Sequence, residues 1–181
     1  MTHPPRSDHP PRSDPWARQE APDVPELPLS HGELWRQHAA DLTRYATLLV
    51  GPHDAHDIVS IAFHRVTHRL DDGQSIPNIR AYLMRSVTNA ATDQHRSQRR
   101  RQERDLRAAA ISPTSTVETF GTELDIRRAV AELSVQQRAV VYFTYWEDLD
   151  SLDIARLLDI APATVRRHLS RARLQLRKEL S

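Results

Sequence analysis

The stretch 151–178, SLDIARLLDIAPATVRRHLSRARLQLRK, constrains this chain more than any other. Two apolar-periodic segments flank a short break at Ile160-Ala161-Pro162. The first places Ile154, Ala155, Leu157 and Leu158 on one side of a short helix. Pro162 suits the first turn of the next helix, where a missing N–H costs nothing. From there Val165, Leu169, Ala172, Leu176 and Leu180 recur at steps of three and four residues, one apolar stripe. Thr164, Arg166, Arg167, Ser170, Arg171, Arg173 and Lys178 are the polar complement. An apolar face that docks on a scaffold, with Arg on the other side, is what a helix needs to meet phosphates and base edges. The pattern predicts a helix-turn-helix whose second helix enters the major groove of DNA. Ala161 is a poor cap for that helix, by about 1 kcal/mol against Ser, Thr or Asp.

The charge distribution fits such a partner. The formal net charge is only +1. Yet 94–107 holds Arg96, Arg99, Arg100, Arg101, Arg104 and Arg107 against Glu103 and Asp105, and the last residues are basic too. Local basic patches matter more for nucleic acid than the total does. There is no cysteine, hence no disulfide framework and no thiolate metal site. No apolar run approaches membrane-spanning length, and the N-terminus lacks a signal-peptide core, so no membrane insertion and a cytoplasmic location are expected.

Residues 1–29 hold eight of the twelve prolines and read as a disordered tail. Helical patterning begins at Glu33, with Leu34, Trp35, Leu42, Tyr45, Ala46 and Leu49 on one face, and Gly51-Pro52 ends it. A second helix is expected from about Asp54 to Leu70 with Ile58, Ile61, Ala62 and Val66 inward, then a loop over 71–78. A long helix follows from about Pro77 to Arg101, with Ile79, Leu83, Val87 and Ala90 apolar. Residues 108–121 read as a linker. Helicity resumes with Leu124, Ala129, Val130 and Leu133, and again from Val135, capped by Ser134, to about Trp146. No stretch alternates like a strand. The expected fold is all-α: one helical domain over 30–107 and a second, carrying the helix-turn-helix, over 122–181.

The long helix IRAYLMRSVTNAATDQHRSQRRR has chemistry of its own. Arg80, Tyr82, Arg85, Ser86, Asn89 and Arg96 are placed on neighbouring faces, an aromatic ring, a hydroxyl, an amide and cations together. Rings and guanidinium planes stack on unstacked bases, and Asn reads base edges. The competing reading is an ordinary amphipathic helix with a solvated Arg face.

Three segments carry a family resemblance. ELWRQHAADLTRYATLLVGPHDAHDIVSIAFHRV, with its Asp57-Ile58-Val59 step and Phe63, resembles the first two helices of a sigma factor of the extracytoplasmic-function (ECF) group. IRAYLMRSVTNAATDQHR resembles the promoter-melting helix, with Asn89 and Asp93 in register. LDIRRAVAELSVQQRAVVYFTYWEDLDSLDIARLLDIAPATVRRHLSRARLQLRKEL resembles sigma region 4 throughout. Two independent halves in the right order and spacing carry the resemblance over about 33–180. It departs at Ser60-Ile61, where the family usually has Gln-Glu, at Tyr82 in place of a tryptophan, and at Ala163 in place of a common glycine.

The resemblance implies that core RNA polymerase and promoter DNA are the partners, and it allows an anti-sigma factor as a further one. Region 2 would bind the polymerase β′ clamp around Asp54, Asp57 and His64, and would recognise and open the −10 element. The 71–78 loop would take a flipped-out base. There Gln74, Ser75 and Asn78 would face the base edge, Tyr82 or Arg80 would support its face or phosphate, and Asn89 would contact the neighbouring strand. Region 4 would bind the duplex −35 element and the β flap. Two other classes compete. A free-standing helix-turn-helix regulator would not need the 79–101 helix, and an anti-anti-sigma or adaptor protein would not need Arg166 and Arg167. The pairs His53/His56 and His64/His68 have metal-compatible spacing but lack converging third and fourth ligands, so no metal or other cofactor is expected. No Ser-His-Asp order or Gly-rich phosphate loop stands out, and no enzyme is expected.

Overall fold

A computed structural model describes residues 30–108 and 122–179. The Pro-rich tail 1–29 and the expected linker, apart from Ala108, lie outside the described residues. Among them the chain is helical: α1 (His31–Val50), α2 (Pro52–Asp71), α3 (Ile79–Ala108), α4 (Thr122–Ala131), α5 (Val135–Tyr145), α6 (Ser151–Leu158) and α7 (Pro162–Glu179).

Local chemistry sets the ends. Ser30 and Glu33 form a reciprocal capping box at the start of α1, and Ser134 and Gln137 form another at α5. The bond from Ser30 also holds the Glu33 carboxyl below its ordinary pKa. Gly51, at φ 85°, turns the chain between α1 and α2 in a conformation that disfavours any side chain, and Pro52 opens α2. Asp150 caps α6 by accepting from the Leu152 and Asp153 amides at 2.7 and 2.9 Å. Asp159 ends α6 in the left-handed region at φ 57°, a conformation Asp tolerates better than most residues. It supplies the turn before α7, which opens at Pro162 without a side-chain cap from Ala161.

Helices α1, α2 and α3 pack on one another, and α5, α6 and α7 do the same. The expected inward faces are borne out at Leu34, Leu42, Tyr45, Ala46 and Leu49 of α1, at Leu83, Val87 and Ala90 of α3, and at Ile154, Leu157, Val165 and Ala172 of the helix-turn-helix. Ile61 is the exception. It is 45% exposed because the buried stripe of α2 runs through Ala55, Ile58, Val59, Ala62 and Val66 and leaves Ile61 on its outer flank. Helix α3 starts two residues later than expected, at Ile79, and runs on to Ala108.

The halves do not keep separate cores. One apolar cluster runs from Leu34 and Leu49 of α1 through Leu83 and Met84 of α3 into Val140 and Phe143 of α5 and Ile154 and Val165 beyond. Tyr45, with no exposed surface, sits at the junction, its ring centroid 4.7 Å from that of Tyr142 and 5.2 Å from that of Phe143.

Candidate nucleic-acid interface

Helix α7 presents its apolar stripe to α5 and α6 and its cations to solvent. Val165 and Ala172 are buried, while Arg166, Arg167, Ser170, Arg171, Arg173, Arg177 and Lys178 are exposed and Thr164 is half-buried. An exposed leucine, Leu174, divides two shallow grooves. Arg166, Ser170, Arg173 and Arg177 line one together with Ser151 of α6, and Arg171 and Lys178 line the other together with Gln137 of α5. Arg173 is anchored: its Nε donates to the Tyr145 hydroxyl at 3.0 Å, and its guanidinium lies 5.9 Å from that ring's centroid. The partly buried His168 imidazole is held below its ordinary pKa, first by burial and then by Arg167 and Arg171.

The second patch lies on α3 and the turn before it. At about 100° per helical residue, Tyr82, Arg85, Asn89 and Arg96 fall within a stripe about 60° wide. Asn89 and Arg96 are exposed and Tyr82 and Arg85 half-buried. The Tyr82 ring has the Arg85 guanidinium 5.1 Å from its centroid and the Arg69 guanidinium at 5.3 Å, and Arg69 also donates to the Tyr82 hydroxyl at 2.9 Å. Arg69, on α2, is a member of this patch that sequence reasoning missed. It stands 13 positions before Tyr82 on another helix, and only the packing of α2 on α3 brings the two together.

Other expected members have different placements. Arg80 is rotated by about 200° from Tyr82 on the α3 wheel and points to the opposite side. There it forms a forked pair with Glu147 at 3.0–3.2 Å and approaches Asp41 at 3.9 Å. Ser86 is buried. Asn78 caps α3, its Oδ1 accepting from the Ala81 amide at 2.8 Å, so its side chain is tied to the start of that helix. Gln74 and Ser75 are exposed in the loop. Gly73, at φ 73°, is needed to end α2: its amide donates to the Leu70 carbonyl and the next amide to that of Arg69.

On α2 the outer face carries Asp57, Ser60, Ile61 and His64, all exposed. Asp54 does not join them. Its Oδ2 accepts from Gln94 at 2.7 Å and from Gln98 at 3.4 Å, so it pins α2 to α3. Among the described residues no group of His, Asp and Glu could hold a metal ion, and no helix is long and apolar enough to cross a membrane.

The sequence and the fold both have known counterparts. Residues 34–101 match the family described as Sigma-70 region 2, and residues 123–176 match Sigma-70, region 4. The ECF RNA polymerase sigma factor SigL of Mycobacterium tuberculosis is 33% identical, over 81% of this chain and 86% of SigL. The RNA polymerase sigma-E factor of Streptomyces avermitilis is 28% identical, over 84% of this chain and 89% of that protein. The fold is similar to that of the sigma factor RpoE of Bartonella quintana, solved in complex with the anti-sigma factor NepR. That match has a TM-score of 0.62 and 22% identity over 82% of this chain and 95% of RpoE. It is also similar to CnrH, solved with the cytosolic domain of CnrY, with a TM-score of 0.54 and 22% identity over 83% of this chain and 86% of CnrH. Two sigma regions in order, on helices that expose one cationic face each, make this chain a member of the ECF group of sigma-70 factors, the subunits that direct core RNA polymerase to promoters.

Proposed function

We propose that the α3 stripe of Tyr82, Arg85, Asn89 and Arg96, with Arg69 and the 71–78 loop, receives the opened −10 element, and that the outer face of α7 reads the −35 duplex. The carrying observation is the Arg69–Tyr82–Arg85 stack beside two exposed polar side chains on the same face. A ring flanked by guanidinium groups offers an unstacked base both a stacking surface and phosphate contacts. The outer face of α2, through Asp57, Ile61 and His64, is the surface for the polymerase β′ clamp, and region 4 meets the β flap. An anti-sigma factor, the kind of partner seen with RpoE, is a further ligand of these two halves. The protein performs no bond chemistry itself and works in the cytoplasm with the polymerase.

Run-off transcription with core polymerase, joined to permanganate footprinting on duplex and pre-melted templates, tests this reading. Asn89→Ala should lower open-complex formation on duplex promoter far more than on the pre-melted one. Exchanging 73–78 for the loop of another sigma factor should change −10 preference and leave −35 preference intact. Normal opening by Asn89→Ala together with an unchanged −10 preference after the loop exchange would remove α3 and its loop from the melting site. A free-standing regulator would instead bind duplex as a dimer and ignore core polymerase.

A further inference from the structure

Residues 3–14 read HPPRSDHPPRSD, the same six residues twice in tandem, and Pro15-Trp16 follows. A plain spacer needs only a composition, whereas here the order is kept as well. Each unit has two adjacent prolines and an arginine. Pro-Pro steps favour the extended polyproline II form, which loses little entropy on docking. Aromatic-lined surfaces take up such segments by packing proline rings on exposed ring faces.

The half that carries the helix-turn-helix has a surface of that kind. Tyr145, Trp146 and Leu152, around the end of α5 and the start of α6, are exposed at 56%, 65% and 52%. Single exposed apolar residues are ordinary, but three within one short stretch of chain make a patch. The Trp146 ring is held flat. It lies parallel to Tyr142 within 8°, with centroids 6.2 Å apart, and Tyr142 is itself packed on the buried Tyr45. Tyr145 is fixed by the hydrogen bond from Arg173. Asp148 and Asp150 are exposed in the same turn, opposite in sign to Arg6 and Arg12 of the repeat.

The repeat can reach this patch within its own chain. The segment 1–29 joins α1 at Ser30. Asp41, about 17 Å further along that helix, lies 3.9 Å from Arg80, whose fork holds Glu147, the neighbour of Trp146. Residues 15–29 between repeat and helix span up to about 46 Å when extended in polyproline II form. We propose that the HPPRSD repeat docks on the Tyr145–Trp146–Leu152 surface of its own chain, with its prolines on the indole and an arginine on Asp148. A link of this length gives the repeat an effective concentration of the order of millimolar, so a contact too weak to hold a separate peptide keeps the site filled. The docked segment adjoins Tyr145, the ring that anchors Arg173 of α7. The docking does not depend on which DNA element each helix reads.

The full chain has three tryptophans, so Trp16→Phe with Trp35→Phe leaves Trp146 as the one reporter. In that background acrylamide quenching of Trp146 should be about threefold weaker with the native repeat than after Pro4, Pro5, Pro10 and Pro11 are all replaced by Ala, because the docked repeat covers an indole that is otherwise 65% exposed. Arg6→Glu with Arg12→Glu should weaken the protection as well, and high salt should narrow that difference. If Trp35→Phe lowers the helical circular dichroism, 5-fluorotryptophan in the chain with all three tryptophans decides. Its Trp146 fluorine line, assigned by Trp146→Phe, should then shift when the four prolines are replaced. Equal quenching with and without the prolines, or an unshifted line, would refute the docking. Protection that disappears on dilution would place a second copy's repeat on the patch and overturn docking within one chain.

Discussion

Tyr45 and Thr88 offer a strict test of how the buried polar groups support this fold. Tyr45 has no exposed surface and Thr88 is 2% exposed, and their oxygens lie 2.7 Å apart. The Thr88 hydroxyl already donates to the Met84 carbonyl at 3.0 Å. It has one hydrogen, so the Tyr45 hydroxyl must be the donor of the shorter bond. Tyr45→Phe removes that donor and leaves an oxygen that still donates elsewhere, which should cost about 0.5–1.5 kcal/mol. Thr88→Val keeps the shape but leaves the Tyr45 hydroxyl buried with no acceptor, which should cost more, about 1–3 kcal/mol. In the double variant no polar group is stranded, so its loss should not exceed that of Thr88→Val, and the cycle should show a coupling of about 1 kcal/mol. Urea unfolding of the four proteins, followed by far-UV circular dichroism with a common slope, measures this. A Thr88→Val loss smaller than that of Tyr45→Phe, or strict additivity, would refute the proton assignment.

Alkaline stability follows from the same tyrosines. Burial raises the Tyr45 hydroxyl pKa well above its ordinary value, and burial with the Glu147 carboxylate pushes Tyr142 up to about 12. Above the ordinary tyrosine value of about 10 the unfolded chain releases protons that the folded chain keeps, so stability should fall with rising pH, by up to about 1.4 kcal/mol per unit for Tyr45. The Tyr142 contribution to that fall should end near pH 12, and melts of Tyr45→Phe should show a shallower slope throughout. Asp150→Ala removes the acceptor of two α6 amides and should cost about 1–2 kcal/mol, read as a lower melting temperature and weaker −35 duplex binding, with Asp150→Asn recovering most of it. Arg166→Ala or Arg167→Ala should cost about 1–3 kcal/mol on the preferred −35 sequence if the lost contact is bidentate to guanine. Arg177→Ala should weaken all duplexes alike and lower the salt slope by about 1. Equal losses on every sequence for all three would deny base reading by α7.

Periodicity carried most of the fold because burial here follows single helix faces. Val165, Leu169, Ala172 and Leu176 share one angular sector, and all are buried or half-buried. The Arg-rich complement of α7 was legible for the same reason. Grouping by chemical type misplaced Arg80, although the angle between positions 80 and 82 already separates them. The DLDS run before α6 held a capping cue at Asp150 that the apolar pattern outweighed. Asp54 looked like an outward carboxylate because Gln94 and Gln98, which bind it, lie 40 and 44 positions away. Arg69 was invisible for the same reason. A residue's face can be read locally, but its partner on another helix cannot.

The seam between the halves is where that limit matters most. Periodicity says that Tyr45 and Phe143 are covered, and each could have been covered within its own half. They meet each other instead. The seam mixes such rings with groups that have good alternatives in water: a carboxylate, guanidinium groups and an amide oxygen left without a partner. Apolar area favours closure without direction, whereas the Arg80–Glu147 fork fixes one relative placement. Opening therefore costs less than exposing a uniformly apolar core would, because the polar half of the seam regains hydration at once.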